Sequence, residues 1–168
     1  SDSTRGVPTS HVMPLILDEL ARAGMKRDAV TVVIATGVHR GATEDEIREI
    51  VGERNLAGLT VINHNPYDPH LLVSLGTTAR GTPVEVSKAV YGADLRIAVG
   101  KVEPHEFAGF SGGRKSVLPG IASERTIEIN YSPEMLMSPS ARPGQLEGNP
   151  IHLDRVEAAG MREVHFTV

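Results

Sequence analysis

Short apolar runs alternating with helical patterns predict an α/β fold: a Rossmann-like parallel sheet flanked by helices, in a single domain. Three observations carry this. The runs from Ala29 to Thr36, Leu59 to Ile62 and Asp94 to Val99 are nearly continuous in apolar and β-branched residues, the pattern of strands covered on both faces. Helix-period segments lie between them, as a β-α-β succession requires. The chain has 168 residues, of which 40% are hydrophobic and 23% charged, enough to bury one core without staples.

Each element has its own local signal. His11 to Ala23 places Leu15, Leu17, Leu20 and Ala21 broadly on one side, and Gly24 supplies a stop. The run from Ala29 to Thr36 is the first strand and ends at Gly37. Thr43 followed by Glu46 forms a capping box that opens a helix to about Val51. Leu59 to Ile62 is the second strand, closed by Asn63, His64, Asn65 and Pro66. Ser87 to Gly92 reads as a helix, and Asp94 to Val99 as the third strand, closed by Gly100. Further helices are predicted over Ser123 to Asn130 and Ile151 to Ala159, with Gly160 ending the latter. Glu163 to Val168 is the last strand. Ser138 to Pro150, rich in Gly and Pro, is a loop. Ser1 to Arg5 opens without a lead-in strand and the chain stops inside a strand-like run. A fragment of a longer, two-domain protein is therefore expected.

Composition narrows the function classes. With no Cys there is no disulfide framework, zinc-thiolate site or thiol nucleophile. Lys and Arg number 17 against 21 Asp and Glu, so the net charge of −4 offers no basic stripe for nucleic acid. Aromatic residues at 4%, with no Trp, argue against a base-stacking platform. No apolar run approaches the ~20 residues of a membrane span, and a cytoplasmic protein is expected.

Ligands of open parallel sheets bind beyond the carboxyl ends of the strands. The residues just past the three runs are Gly37, Val38, His39 and Arg40; then Asn63, His64 and Asn65; then Gly100 to His105. Three strands thus deliver a His to one edge, and His is the side chain best suited to proton transfer near neutral pH. His11, His70, His152 and His165 lack this placement and read as surface or packing residues. Asp2 and Arg5, with Ser3 and Thr4, precede the first helix in a segment that suits a phosphate or carboxylate.

The densest signal runs from Phe107 to Ser116. Gly109, Gly112 and Gly113 let backbone N–H groups approach an anion, and Arg114 and Lys115 add charge. The segment is not a P-loop, because Arg114 stands where that motif needs Gly, and the loop does not follow its strand directly. Nucleotide hydrolysis is therefore rejected. A Lys among glycines and apolar groups is instead a candidate covalent anchor, since desolvation favours the neutral, nucleophilic amine.

Four segments together resemble lactate racemase, the nickel-pincer nucleotide family of 2-hydroxyacid racemases and epimerases. They are Asp2 to Arg5, Gly37 to Arg40, Pro104 to Gly120, and Gly148 to His152, and they occur in the family's order. The resemblance covers essentially Ser1 to Val168 and identifies the chain as the family's N-terminal, cofactor-binding domain. It implies a pyridinium mononucleotide with thioacid groups, joined to Lys115 as a thioamide and carrying nickel. It also implies acid/base roles for His39 and His105, Asp2 at the cofactor phosphate, and Arg5 at the substrate. Phe107 and Pro119 would pack near the pyridinium ring. One His would take the hydroxyl proton of a small 2-hydroxy acid while hydride passes to the cofactor. The other His would serve the opposite enantiomer. A C-terminal domain of the parent chain would close the cleft.

The chain departs from the family at one position. Spacing after Lys115 puts Tyr131 where the family has its nickel-ligating His, and a phenol is a poor nickel donor beside imidazole. Three outcomes follow: His64 substitutes, the cofactor alone holds the metal, or nickel binding is lost. In the last case the chain is a repurposed nucleotide- or anion-binding domain without the racemase chemistry.

Overall fold

The computed structural model describes residues 6–168. Helix α1 (Thr9–Arg22) starts two residues before the predicted position and contains Pro14. Pro14 has no N–H to offer the Ser10 carbonyl. The buried Asn55 amide donates to that carbonyl instead, at 3.3 Å. Strands β1 (Thr31–Ile34) and β2 (Thr60–Asn63) pair in parallel, Thr31 opposite Thr60. Between them the capping box forms as expected: Thr43 Oγ1 accepts from Glu46 N at 3.3 Å, and Thr43 N donates to Glu46 Oε2 at 2.8 Å. Arg40 grips the same carboxylate with both terminal nitrogens, at 2.7 and 2.5 Å. These bonds, Arg40's first, hold the Glu46 carboxyl down to about 2. The helix here is shorter than predicted. α2 spans Glu44–Ile47 and runs into a wider π turn, Arg48–Gly52.

The sequence pattern predicts no strand between Asn65 and Ser87, and the structure has two. β3 (Leu72–Thr77) and β4 (Pro83–Ser87) form an antiparallel hairpin with an irregularity at Ser74 and Gly76. Gly76 interrupts the apolar alternation of β3, which hides the strand from a periodicity search. α3 (Lys88–Tyr91) follows. The third predicted strand shortens to β5 (Ile97–Ala98), paired in parallel with β8 (Phe166–Thr167). β6 (Pro104–His105) and β7 (Gly109–Phe110) make a second, very short hairpin. α4 (Glu124–Asn130), α5 (Pro133–Leu136) and α6 (Pro150–Gly160) complete the chain.

The α/β class and the parallel pairing stand. The strands do not join into one hydrogen-bonded sheet, however: β1–β2 and β5–β8 are separate pairs among the described residues. A slot of about 260 Å³ lies between them, lined by every residue from Val30 to Ala35 and from Leu95 to Val99. A strand presenting a face would offer alternate residues, so consecutive lining means that two strand edges front the slot. Met13, Ile16 and Leu20 of α1 line it as well.

The main core gathers Val84, Val86, Tyr91, Val117, Leu118, Ile121 and Ala158. Fully burying an aliphatic side chain of this kind is worth roughly 1.5–3 kcal/mol. A second core of Met13, Leu17, Ile34, Ala42 and Val51 joins α1 to β1. A small third one, Ala108, Met135 and Ile151 with Tyr131 against it, sits beneath the β6–β7 hairpin. No described helix is long and apolar enough to cross a membrane.

Candidate functional site

The loop after β1 is shaped by Gly37, whose φ of +58° is a conformation that side chains disfavour. It turns the chain so that His39 N donates to Thr36 O at 3.1 Å, leaving the His39 residue exposed. Gly37 N donates to Gly120 O at 2.9 Å, and a Cβ on Gly37 would lie 3.4 Å from Pro119 O. The His39 loop is thereby fixed to the end of the glycine segment. Pro119, half-buried, follows a cis peptide bond from Leu118.

Glycine also sets the geometry around Lys115. Gly112 and Gly113 have φ of +79° and +50° and lead into a single 3-10 turn, Gly113–Ser116. Lys115 N donates to Gly112 O at 3.1 Å, and Gly120 N donates to Lys115 O at 3.0 Å. The space where a Gly113 side chain would stand is open. Ser111 braces the segment, its hydroxyl donating to Lys101 O at 2.6 Å while accepting from Glu103 N at 3.0 Å. Arg114 points back over the hairpin and donates through Nη2 to the carbonyls of Ala108 and Phe110, at 3.1 and 3.0 Å.

His105 is half-buried in β6. Its Nδ1 accepts from Phe107 N and Ala108 N, each at 3.3 Å, so the neutral ring carries its proton on Nε2. Asn149, the N-cap of α6, reaches across to this hairpin. Its amide donates to Phe107 O at 2.8 Å while its oxygen caps His152 N at 3.1 Å. The Phe107 ring stands edge-on to Tyr131, with centroids 6.4 Å apart.

His39, Pro119, Lys115, His105, Phe107 and Tyr131 therefore all lie on segments linked by these hydrogen bonds and ring contacts. Asp2 and Arg5 lie outside the described residues. His64 does not belong to the set. It is 6% exposed, and its Nε2 donates to Ala122 O at 2.9 Å, with burial pulling its pKa below the ordinary value. It links the end of β2 to the core through this bond.

Several functional-looking residues escaped the sequence reading. Arg155 is fully buried, its Nε donates to Asn130 Oδ1 at 2.7 Å, and its guanidinium carbon lies 4.5 Å from the Tyr131 ring centroid. Asn130 is held by Asp154 at 2.8 Å, and Asp154 also takes the Thr78 and Thr82 hydroxyls at 2.6 and 2.8 Å. His152, read from sequence as surface or packing, has its Nδ1 buried with no partner. The i, i+3 spacing of His152 and Arg155 on a predicted helix was the available signal.

These residues test the fit of a nickel cofactor. Lys115 and its glycine turn suit a tethered nucleotide. The position expected to supply a metal ligand does not suit nickel, because the phenol of Tyr131 rests against a buried guanidinium that repels a divalent cation. No group of three or more His, Asp or Glu among the described residues is placed to hold a metal.

Residues 1–144 match the family model described as the lactate racemase N-terminal domain. The chain is 43% identical over 166 residues to a lactate racemase of Thermoanaerobacterium thermosaccharolyticum, covering 99% of this chain and 39% of that protein. A lactate racemase of Lactiplantibacillus plantarum is 40% identical over 168 residues, again 39% of its length. The chain thus spans about two-fifths of the curated relatives it matches. Among solved structures, the lactate racemase apoprotein of T. thermosaccharolyticum superposes with a TM-score of 0.90 at 44% identity, covering 95% of this chain and 38% of that one. A Thermotoga maritima protein gives a TM-score of 0.81 at 26% identity, covering 95% and 41%.

Proposed function

Because this chain belongs to the lactate racemase N-terminal domain family, we propose that it is the cofactor-binding domain, residues 1–168, of a 2-hydroxyacid racemase or epimerase acting on a lactate-like acid. The observation that carries this reading is the Gly37–Gly120 hydrogen bond, which ties the His39 loop to the segment bearing Lys115. Lys115 is the tether for the pyridinium nucleotide, and Asp2 serves its phosphate end. Phe107 and Pro119 flank the ring. Arg5 pairs with the carboxylate of the substrate, since a guanidinium matches that group bidentately. The domain works in a soluble, cytoplasmic enzyme together with a C-terminal domain of the parent chain.

His39 and His105 handle the hydroxyl proton, one for each enantiomer, because inversion at C2 brings the hydroxyl from opposite sides. With Nδ1 accepting from two backbone N–H groups, the neutral His105 ring is in the form that donates through Nε2. To act as a base at Nε2, its ring must shift the proton to Nδ1 and release Phe107 N and Ala108 N. No side chain of this protein can accept a hydride, so the carrier must be bound. Racemisation by the parent made with the cofactor-synthesis proteins tests the reading, together with intact mass of the Lys115 peptide. His39→Gln and His105→Gln are each expected to lower turnover by about a hundredfold or more. Full racemisation in either variant would remove that His from the mechanism.

A second reading has its own support. Tyr131 stacked on Arg155 favours a domain that keeps the nucleotide site and has lost protein-ligated nickel. A Lys115 adduct found without metal would decide for it.

A further inference from the structure

Buried polar atoms in folded proteins nearly always have partners, and exceptions call for an explanation. Four buried side-chain nitrogens among the described residues have none: Nε of Arg114, Nδ1 of His152, and both Nη atoms of Arg155. All four belong to side chains able to carry positive charge, and the three side chains form one cluster. His152 and Arg155 stand one turn apart on α6, and α6 packs on the turn that holds Arg114. Burial first, and then the Arg155 charge, lower the Arg114 pKa; burial first, and then both guanidiniums, lower that of His152.

The acids nearby leave these nitrogens unserved. The Tyr131 phenol and, to a smaller extent, Asp154 favour the Arg155 charge. No Nη atom of Arg155 has a hydrogen bond of normal geometry, however, and the Asp154 oxygens are engaged by Thr78, Thr82 and Asn130. No ion pair reaches Arg114 among the described residues, and its Nη2 is already directed at two carbonyls. A fully buried guanidinium whose two Nη atoms lack a well-aligned acceptor, with only the Tyr131 phenol beside it, is costly unless an acceptor arrives. Arg155 cannot lose its proton to escape that cost.

We propose that Arg114, His152 and Arg155 form the seat of one oxyanion group, a carboxylate or a phosphate, packed beside Tyr131. An oxyanion supplies acceptors for several N–H donors at once and neutralises the surplus charge. The seat lies under the β6–β7 hairpin, because Arg114 is fixed to Ala108 O and Phe110 O, so its occupant would also set the hairpin that carries His105. This inference rests on the unpartnered nitrogens and does not depend on the racemase reading.

The test is calorimetric titration of the 168-residue chain with inorganic phosphate and, separately, with acetate, in a buffer free of other oxyanions. NMR signals of the His152 ring and the arginine Nε–H groups are followed in parallel. Saturable one-site binding of at least one anion is expected. It should move His152 and Arg155 signals and leave the His64 ring unchanged. Arg114→Gln, at a half-exposed position, should weaken binding about tenfold or more. Arg155→Lys keeps the charge and loses the fork, and should weaken it also. Binding of phosphate alone would assign a phosphate ligand, and binding of acetate a carboxylate. Absence of binding by both anions, or unchanged affinity in folded Arg114→Gln, would overturn the proposal.

Discussion

The backbone N–H of Gly37 donates to the carbonyl of Gly120 across 2.9 Å, joining the turn that carries His39 to the segment that carries Lys115. One hydrogen bond between two glycines, 83 residues apart in sequence, thus couples a proposed proton-handling residue to the proposed tether.

Gly37→Ala should destabilise the chain by about 1–2 kcal/mol, because φ of +58° is strained for any residue with a Cβ. Space is not the problem, since the added methyl meets Pro119 O at an ordinary 3.4 Å. Urea denaturation measures the change. Unchanged stability would show that the turn relaxes without its glycine.

Asp154→Ala should cost about 3 kcal/mol or more, since it orphans Thr78, Thr82 and Asn130 and leaves the Arg155 charge uncompensated. Thr82→Val should cost about 1–2 kcal/mol, as one partner only is lost. Urea midpoints of the two variants give the comparison. Equal effects would mean that the carboxylate is not the hub.

His64 gives a pH dependence of definite sign. Burial lowers its folded pKa below 6.5, so the unfolded chain binds the proton more readily. The stability this contributes is complete above 6.5 and is lost as pH falls from there through the folded value. His152 is shifted the same way and adds to the slope. Unfolding free energy measured between neutral and mildly acid pH should therefore decline. The decline should be shallower in His64→Gln, with the His152 share remaining.

Tyr131 decides the metal question. The chain incubated with nickel(II) and desalted should retain no stoichiometric metal, by elemental analysis. In the parent supplied with cofactor, Tyr131→His should raise nickel retention, because imidazole is a far better donor than phenol. Stoichiometric nickel in the Tyr131 protein would show that the guanidinium beneath the ring does not exclude it.

Sequence alone determined the α/β class and the helix starts at Thr43 and Ser123, and it drew attention to His39, His105 and Lys115 as site candidates. These follow from local rules: capping chemistry, glycine turns and hydrophobic period act within a few residues. It determined the family too, through segments that keep their order. The β3–β4 hairpin was not legible, because Gly76 breaks the alternation that marks a strand. Nor was the division of the sheet, since β1 and β5 each pair on one edge only, and edge pairing is a contact between distant segments. Tertiary structure alone showed His64 to be buried, with Nε2 aimed at Ala122 O. It alone placed Arg155 under Tyr131 and beside Arg114 and His152. Burial of a charge depends on everything packed around it, and no spacing along the chain records that.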